Sequence, residues 1–143
     1  MAHEFTLRLV TPFGVLFDGP VREVDAVNPL GEFGVLADHC DYLTALTPGI
    51  LTITAPDGAR GRYLVTGGLV EVKDGAMTVL ADEAEEPRVA DEAALTHEAE
   101  RSEEKLSGMN LYDPSYAEAA EEIALIRARI HASQIARAAG GPG

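Results

Sequence analysis

Lys73-Asp74-Gly75 lies between two apolar, β-branched runs within residues 62–82, and no other feature narrows the possible folds as much. Asp-Gly between such runs signals a tight strand reversal, because glycine accepts the positive φ that the turn requires. On the first arm Leu69 and Glu71 alternate with Val70 and Val72; on the second, Met77 and Val79 alternate with Thr78 and Leu80. A period of two gives each strand one wet and one buried face. After Asp82 the β-branched residues thin out, and Ala, Glu and Arg take over. The hairpin is therefore expected to be the last β element of one module and to stand directly before a helical one.

Upstream, Phe5 to Val10 alternates, with Phe5, Leu7 and Leu9 sharing a face. Thr11-Pro12-Phe13-Gly14 reads as a turn, followed by a short strand Val15-Leu16-Phe17 that Asp18-Gly19 closes. Val21 to Val27 alternates through Val24 and Ala26 until Pro29, which lacks a ladder donor and restrains Asn28. Short strands follow at Val35-Leu36, from Tyr42 to Leu46 and from Ile50 to Ala55, divided by Thr47-Pro48-Gly49 and Pro56-Asp57-Gly58. Strands this short, with Gly and Pro between them, predict a β-sandwich or barrel rather than βαβ units. Gly67-Gly68 predicts a bulge or a close backbone approach, since neither the Lys-Ser/Thr nor the helix of a phosphate loop follows it.

Asp91 is placed to cap a first helix that runs to about Leu106 and stops at Ser107-Gly108-Met109-Asn110. The second helix has two overlapping starts, Asp113 before Pro114 or a Ser115/Glu118 capping box, and extends to about Ala138. Tyr116, Ala119, Ile123, Ile126 and Ile130 form one stripe at helical spacing. A short connection makes the two helices antiparallel neighbours. The fold class is therefore α+β: an N-terminal antiparallel β-sandwich over residues 1–83, then a C-terminal two-helix antiparallel hairpin over residues 88–139. The hairpin shows little large apolar surface, and a detachable unit is expected.

The formal net charge is −13, which the phosphates of nucleic acid would repel. It is unevenly placed: −6 over residues 1–82, −10 over 83–122, and +3 over 123–143, where Arg127, Arg129 and Arg137 stand with no acid. A basic helix after an acidic stretch reads either as a solvated face suited to a helix C-terminus or as a tail for an acidic partner. At ~3.6 residues per turn Arg127 and Arg137 fall within about 80° of a common face, whereas Arg129 lies about 200° from Arg127. No apolar run approaches the ~18 residues of a spanning helix, and the N-terminus opens no signal peptide; a cytoplasmic or membrane-peripheral chain is expected. The single Cys40 fits a reducing compartment. In an extended segment His39 and Cys40 point to opposite sides and form no dyad. His3, His97 and His131 have no metal-ligand spacing. No catalytic set, metal site or cofactor site is expected.

Gly31-Glu32-Phe33-Gly34-Val35-Leu36-Ala37-Asp38-His39, Leu43-Thr44-Ala45-Leu46-Thr47-Pro48-Gly49, Thr66-Gly67-Gly68-Leu69-Val70-Glu71-Val72 and Val79-Leu80-Ala81-Asp82 together resemble the epsilon subunit of F-type ATP synthases. Thr11 and Phe17 with Gly19 match its opening, and Tyr116-Ala117-Glu118-Ala119-Ala120-Glu121 its second helix. The resemblance covers nearly all of the chain in order. It implies a non-catalytic central-stalk subunit of a proton-transporting ATP synthase, coupling the gamma subunit to the membrane ring of c subunits. Such a subunit lies peripherally on the cytoplasmic face of the bacterial inner membrane. Matching positions imply gamma contacts at Thr11, His39 and Thr44 and a c-ring contact at Glu32. The resemblance also implies a hairpin that meets acidic segments of the catalytic head and slows ATP hydrolysis, and Arg127 and Arg137 are the residues expected to do so.

The family has Pro-Gly before this histidine and Ala-Pro after it; Ala37-Asp38 and Cys40-Asp41 stand here. Its ATP-binding members carry an aliphatic residue, Asp, two residues, Arg and Ala at the first helix. Ala90-Asp91-Glu92-Ala93-Ala94-Leu95 keeps Asp91 but has no Arg, so the phosphates lose a bidentate partner and no ATP binding is expected. The residues alone leave a second reading, a carbohydrate- or protein-binding sandwich with no role in ATP synthesis. Trp is absent and aromatics are 6%, which disfavours a sugar site.

Overall fold

A computed structural model describes residues 3–140; Met1 and Ala2, which open the N-terminal reading, lie outside them. The strands are β1 (Phe5–Thr11), β2 (Gly14–Val21), β3 (Glu23–Asn28), β4 (Gly31–Leu36), β5 (Tyr42–Leu46), β6 (Gly49–Thr54), β7 (Arg60–Val65), β8 (Gly68–Lys73), β9 (Ala76–Ala81) and β10 (Ala84–Glu85). The helices are α1 (Glu92–Ser107) and α2 (Pro114–Gly140). Contacts divide the chain into one unit up to Glu86 and a second from Pro87.

The strands form two five-stranded sheets, ordered β2-β1-β9-β8-β5 and β10-β7-β6-β3-β4. Phe5, Leu7 and Leu9 of β1 are buried together with Val70, Val72, Met77 and Val79 of the β8–β9 hairpin, the faces that the alternation assigns to the interior. Val24, Leu51 and Ile53 of the second sheet complete the same core. At the hairpin turn Asp74 and Gly75 both have positive φ, 51° and 76°, which is the type I′ geometry that matches strand twist.

Several boundaries differ from the sequence reading, each for a physical reason. The sandwich is not wholly antiparallel: β1 and β9 pair in parallel, which the long chain between them permits. Asp18-Gly19 does not close β2, which runs on through Pro20 to Val21. As an edge strand, β2 can spare the ladder donor that proline lacks. Glu32 is not on a loop, because β4 begins at Gly31 and pairs with β3 from there. The first arm of the expected hairpin divides at Thr66-Gly67, leaving β7 in one sheet and β8 in the other. The hairpin is not the last β element either, since β10 adds two residues against β7.

Gly67-Gly68 is a close approach. Gly68 has φ +144°, and a Cβ there would stand 2.1 Å from the Leu80 carbonyl oxygen. In α1, Asp91 is the N-cap, its carboxylate accepting the Ala94 N–H. α2 starts on the Asp113–Pro114 alternative: Asp113 Oδ1 accepts both the N–H (2.9 Å) and the hydroxyl (2.7 Å) of Ser115. These two bonds hold the Asp113 carboxyl below its ordinary value. Ile123 and Ile126 of the expected stripe are buried, and so are Ala128, Ala132 and Ser133. Alanine and serine carry no periodic hydrophobic signal, so the pattern could not show them.

Candidate functional site

Asn28 ends β3 and is buried, although the sequence shows it only as the residue before Pro29. Its Oδ1 accepts the Leu30 N–H at 2.9 Å and so shapes the β3–β4 turn. Its Nδ2 donates to the Tyr42 hydroxyl at 3.0 Å and to Thr44 Oγ1 at 3.4 Å. One buried amide thus ties β3, next to the β4 edge of the second sheet, to β5, an edge of the first. The Tyr42 ring meets Phe33 edge-on at 5.9 Å and His39 at 5.6 Å. Glu32 is exposed, opposite Val27 on the neighbouring strand. The structure therefore gathers His39 and Thr44 around Asn28 and Tyr42, whereas Glu32 lies on the opposite face of β4 from Phe33, the face that Asp25 of β3 shares.

The β4–β5 connection opens on a hydrogen-bonded turn although no Pro-Gly stands there. The His39 N–H donates to the Leu36 carbonyl at 3.0 Å, closing a turn in which neither Ala37 nor Asp38 needs positive φ. His39 Nδ1 lies 2.7 Å from the Cys40 carbonyl, which can only accept, so Nδ1 is the donor of this bond. Beside it opens a cavity of about 720 Å³, lined among others by Arg22, Leu36, Asp38 and Pro56. Cys40 is a free, exposed thiol.

Two of the candidate contact residues are tied into the sandwich itself. Thr44 pairs with buried Val70 and shares its inward face; the outward side chains of β5 are Leu43 and Ala45. Thr11 is buried, with Oγ1 accepting the Phe13 N–H at 3.1 Å. It is separated from β5 by β9 and β8, three strand spacings or roughly 14 Å. Thr11 and Thr44 thus both make side-chain hydrogen bonds within the sandwich.

In the second unit Arg127 and Arg137 share one face of α2, as their angular spacing predicts, and that face meets α1. Arg127 Nε and Nη2 reach Glu103 Oε1 at 2.9 and 2.6 Å. Arg137 Nε lies 2.7 Å from Glu92 Oε2, and its Nη2 2.9 Å from Oε1. Sequence reasoning missed these acids, since Glu92 and Glu103 are two among many in an acidic run. Asp91 is engaged as the N-cap. Among the described residues no group of His, Cys, Asp and Glu could hold a metal ion, and no helix is long and apolar enough to cross a membrane.

The family model of the ATP synthase delta/epsilon chain β-sandwich domain matches residues 4–87. The ATP synthase epsilon chain of Bradyrhizobium sp. (strain BTAi1) is 40% identical over 103 residues, 72% of this chain and 76% of that one. The chain belongs to the ATP synthase epsilon-chain family. The epsilon chain of Legionella pneumophila is 37% identical over 131 residues, 92% of this chain and 93% of its own, so the similarity extends through the hairpin. The fold of this epsilon-family chain also matches solved chains. One, from the Euglena gracilis mitochondrial ATP synthase, gives a TM-score of 0.72 at 23% identity, covering 92% of this chain and 82% of that one. Another, from the Tetrahymena thermophila mitochondrial ATP synthase central stalk and c-ring, gives 0.60 at 19% identity, covering 90% and 95%.

Proposed function

We propose that the chain is a non-catalytic rotor subunit of an F-type ATP synthase, coupling the gamma subunit to the c ring on the cytoplasmic face of the membrane. The observation that supports this best is the match of residues 4–87 to the family's β-sandwich domain, within which His39 packs on Tyr42 and Glu32 stands exposed on β4. His39 and the cavity beside it face gamma, and exposed Glu32 on the β4 edge faces the c ring. Thr11 and Thr44 act on the gamma contact indirectly, through the turn and strand they hold. Asp91 takes no part in binding ATP. The basic part of α2 from Ile123 on slows ATP hydrolysis by meeting an acidic surface of the catalytic head.

The test is a pull-down with purified gamma subunit and c ring. Glu32→Arg and His39→Glu each weaken capture while moving the isolated chain's stability by no more than about 0.5 kcal/mol, the usual range for surface substitutions. A variant that unfolds the chain would make that residue structural. Deleting residues 123–143 raises ATP hydrolysis by the reconstituted catalytic head; unchanged hydrolysis at low salt refutes the regulatory half.

A further inference from the structure

The contacts between α1 and α2 form two clasps of unlike chemistry. At one end Ser133, with no exposed surface, accepts the Ala90 N–H at 2.9 Å and donates its hydroxyl to Glu92 Oε2 at 2.9 Å. The same Glu92 carboxylate holds Arg137 through both of its oxygens. At the other end Glu103 holds Arg127 through Oε1 alone. Glu92 and Glu103 stand eleven positions apart on α1, and Arg127 and Arg137 ten apart on α2. Two antiparallel helices thus meet acid to base at both ends.

We propose that Glu92 and Glu103 are internal decoys, which occupy Arg137 and Arg127 and so withhold them from the acidic surface of another subunit. This inference rests on the regulatory reading above and adds what sets its strength: the hairpin's own acids compete with the head for the same two guanidiniums. The Arg127–Glu103 pair is open to water, with 47% and 44% of the two side chains exposed, whereas Glu92 keeps only 23% beside the 58% of Arg137. The Arg127–Glu103 pair is therefore worth a factor of roughly 1.5–5 in an equilibrium constant, small enough for a partner to win. Ser133 is not part of the competition, because its hydroxyl carries no charge; it fixes the register in which the acids find the arginines.

The full chain carrying Glu92→Gln and Glu103→Gln together tests this. In the isolated chain, amides between Ile123 and Ala136 are expected to exchange two- to tenfold faster at low salt. Hydrolysis by the catalytic head reconstituted with that variant is expected to fall two- to fivefold. A swap, Glu103→Arg with Arg127→Glu, rebuilds one clasp while removing its arginine from the partner; slow exchange returns and the extra inhibition does not. Unchanged exchange in the double variant overturns the proposal. So does faster exchange with unchanged hydrolysis, where deletion of residues 123–143 still releases hydrolysis. Should that deletion itself change nothing, the regulatory reading fails and the decoys lose their target.

Discussion

Asp25 sits on β3 opposite Gly34, whose missing side chain leaves room for it: a Cβ there would lie 2.8 Å from Asp25 Oδ1. Burial pushes the Asp25 carboxyl up from 3.8 to about 6. A hydrogen bond shared with Glu23 and the negative charge of Glu23 push the same way; Arg60 pulls back, and Glu32 adds to the rise. The folded chain thus keeps a proton that the unfolded chain releases between pH ~4 and ~6, so stability falls as pH rises through that window. Asp25→Asn removes the ionisable group and can still hydrogen-bond to Glu23. The variant is expected to melt a few degrees higher at pH 7.5 and to show a flatter dependence of Tm between pH 4 and 6. Equal melting temperatures at both ends of the window in the parent chain would refute the account.

Among the elements, the β8–β9 hairpin carries the tightest constraint, since the Gly68 backbone lies against the Leu80 carbonyl at positive φ. Gly68→Ala forces both a clash with backbone and a strained conformation, and is expected to cost roughly 3 kcal/mol or more. Gly75→Ala, with open space around its Cβ, bears only the φ penalty and should cost less; urea titration of the two variants ranks them. This hairpin was legible in the sequence because turn chemistry, alternation and β-branched composition all agree there. β2 and β4 were only partly legible: they are edge strands, where Gly, Asp and Pro do not end pairing. Asn28 was missed for another reason. Its part in the site depends on side-chain bonds to Tyr42 and Thr44, fourteen and sixteen residues away, and a non-local pairing leaves no mark on local pattern. Glu92 and Glu103 were hidden likewise, by an excess of equivalent acids around them.

At the scale of the whole molecule, the two units are held by different physics. The first has one apolar core, to which β1, β8 and β9 contribute seven branched, aromatic or thioether side chains: Phe5, Leu7, Leu9, Val70, Val72, Met77 and Val79. Burying such a side chain is worth about 1.5–3 kcal/mol, so opening any of these strands exposes much of the core at once. In the second unit α1 buries only Ala99, and alanine brings little apolar area. Its polar clasps to α2 include the Glu103–Arg127 and Glu92–Arg137 ion pairs and the Ser133 hydroxyl, so α1 can open with little loss from the rest of the chain. The expected result in native-state hydrogen exchange is a hierarchy: amides of β1, β8 and β9 exchange only through global unfolding, those of α1 through a smaller opening at lower free energy. Salt should separate the two further, because raising ionic strength from 0.01 to 1 M shortens the screening length from about 30 Å to about 3 Å. That change weakens the clasps and leaves the apolar core untouched. A chain cut after Glu86 should accordingly keep one cooperative thermal transition by circular dichroism. If α1 amides proved as slow as those of β9, or if the shortened chain melted without cooperativity, the hairpin would be part of the sandwich's folding unit, and opening it would unfold the sandwich as well.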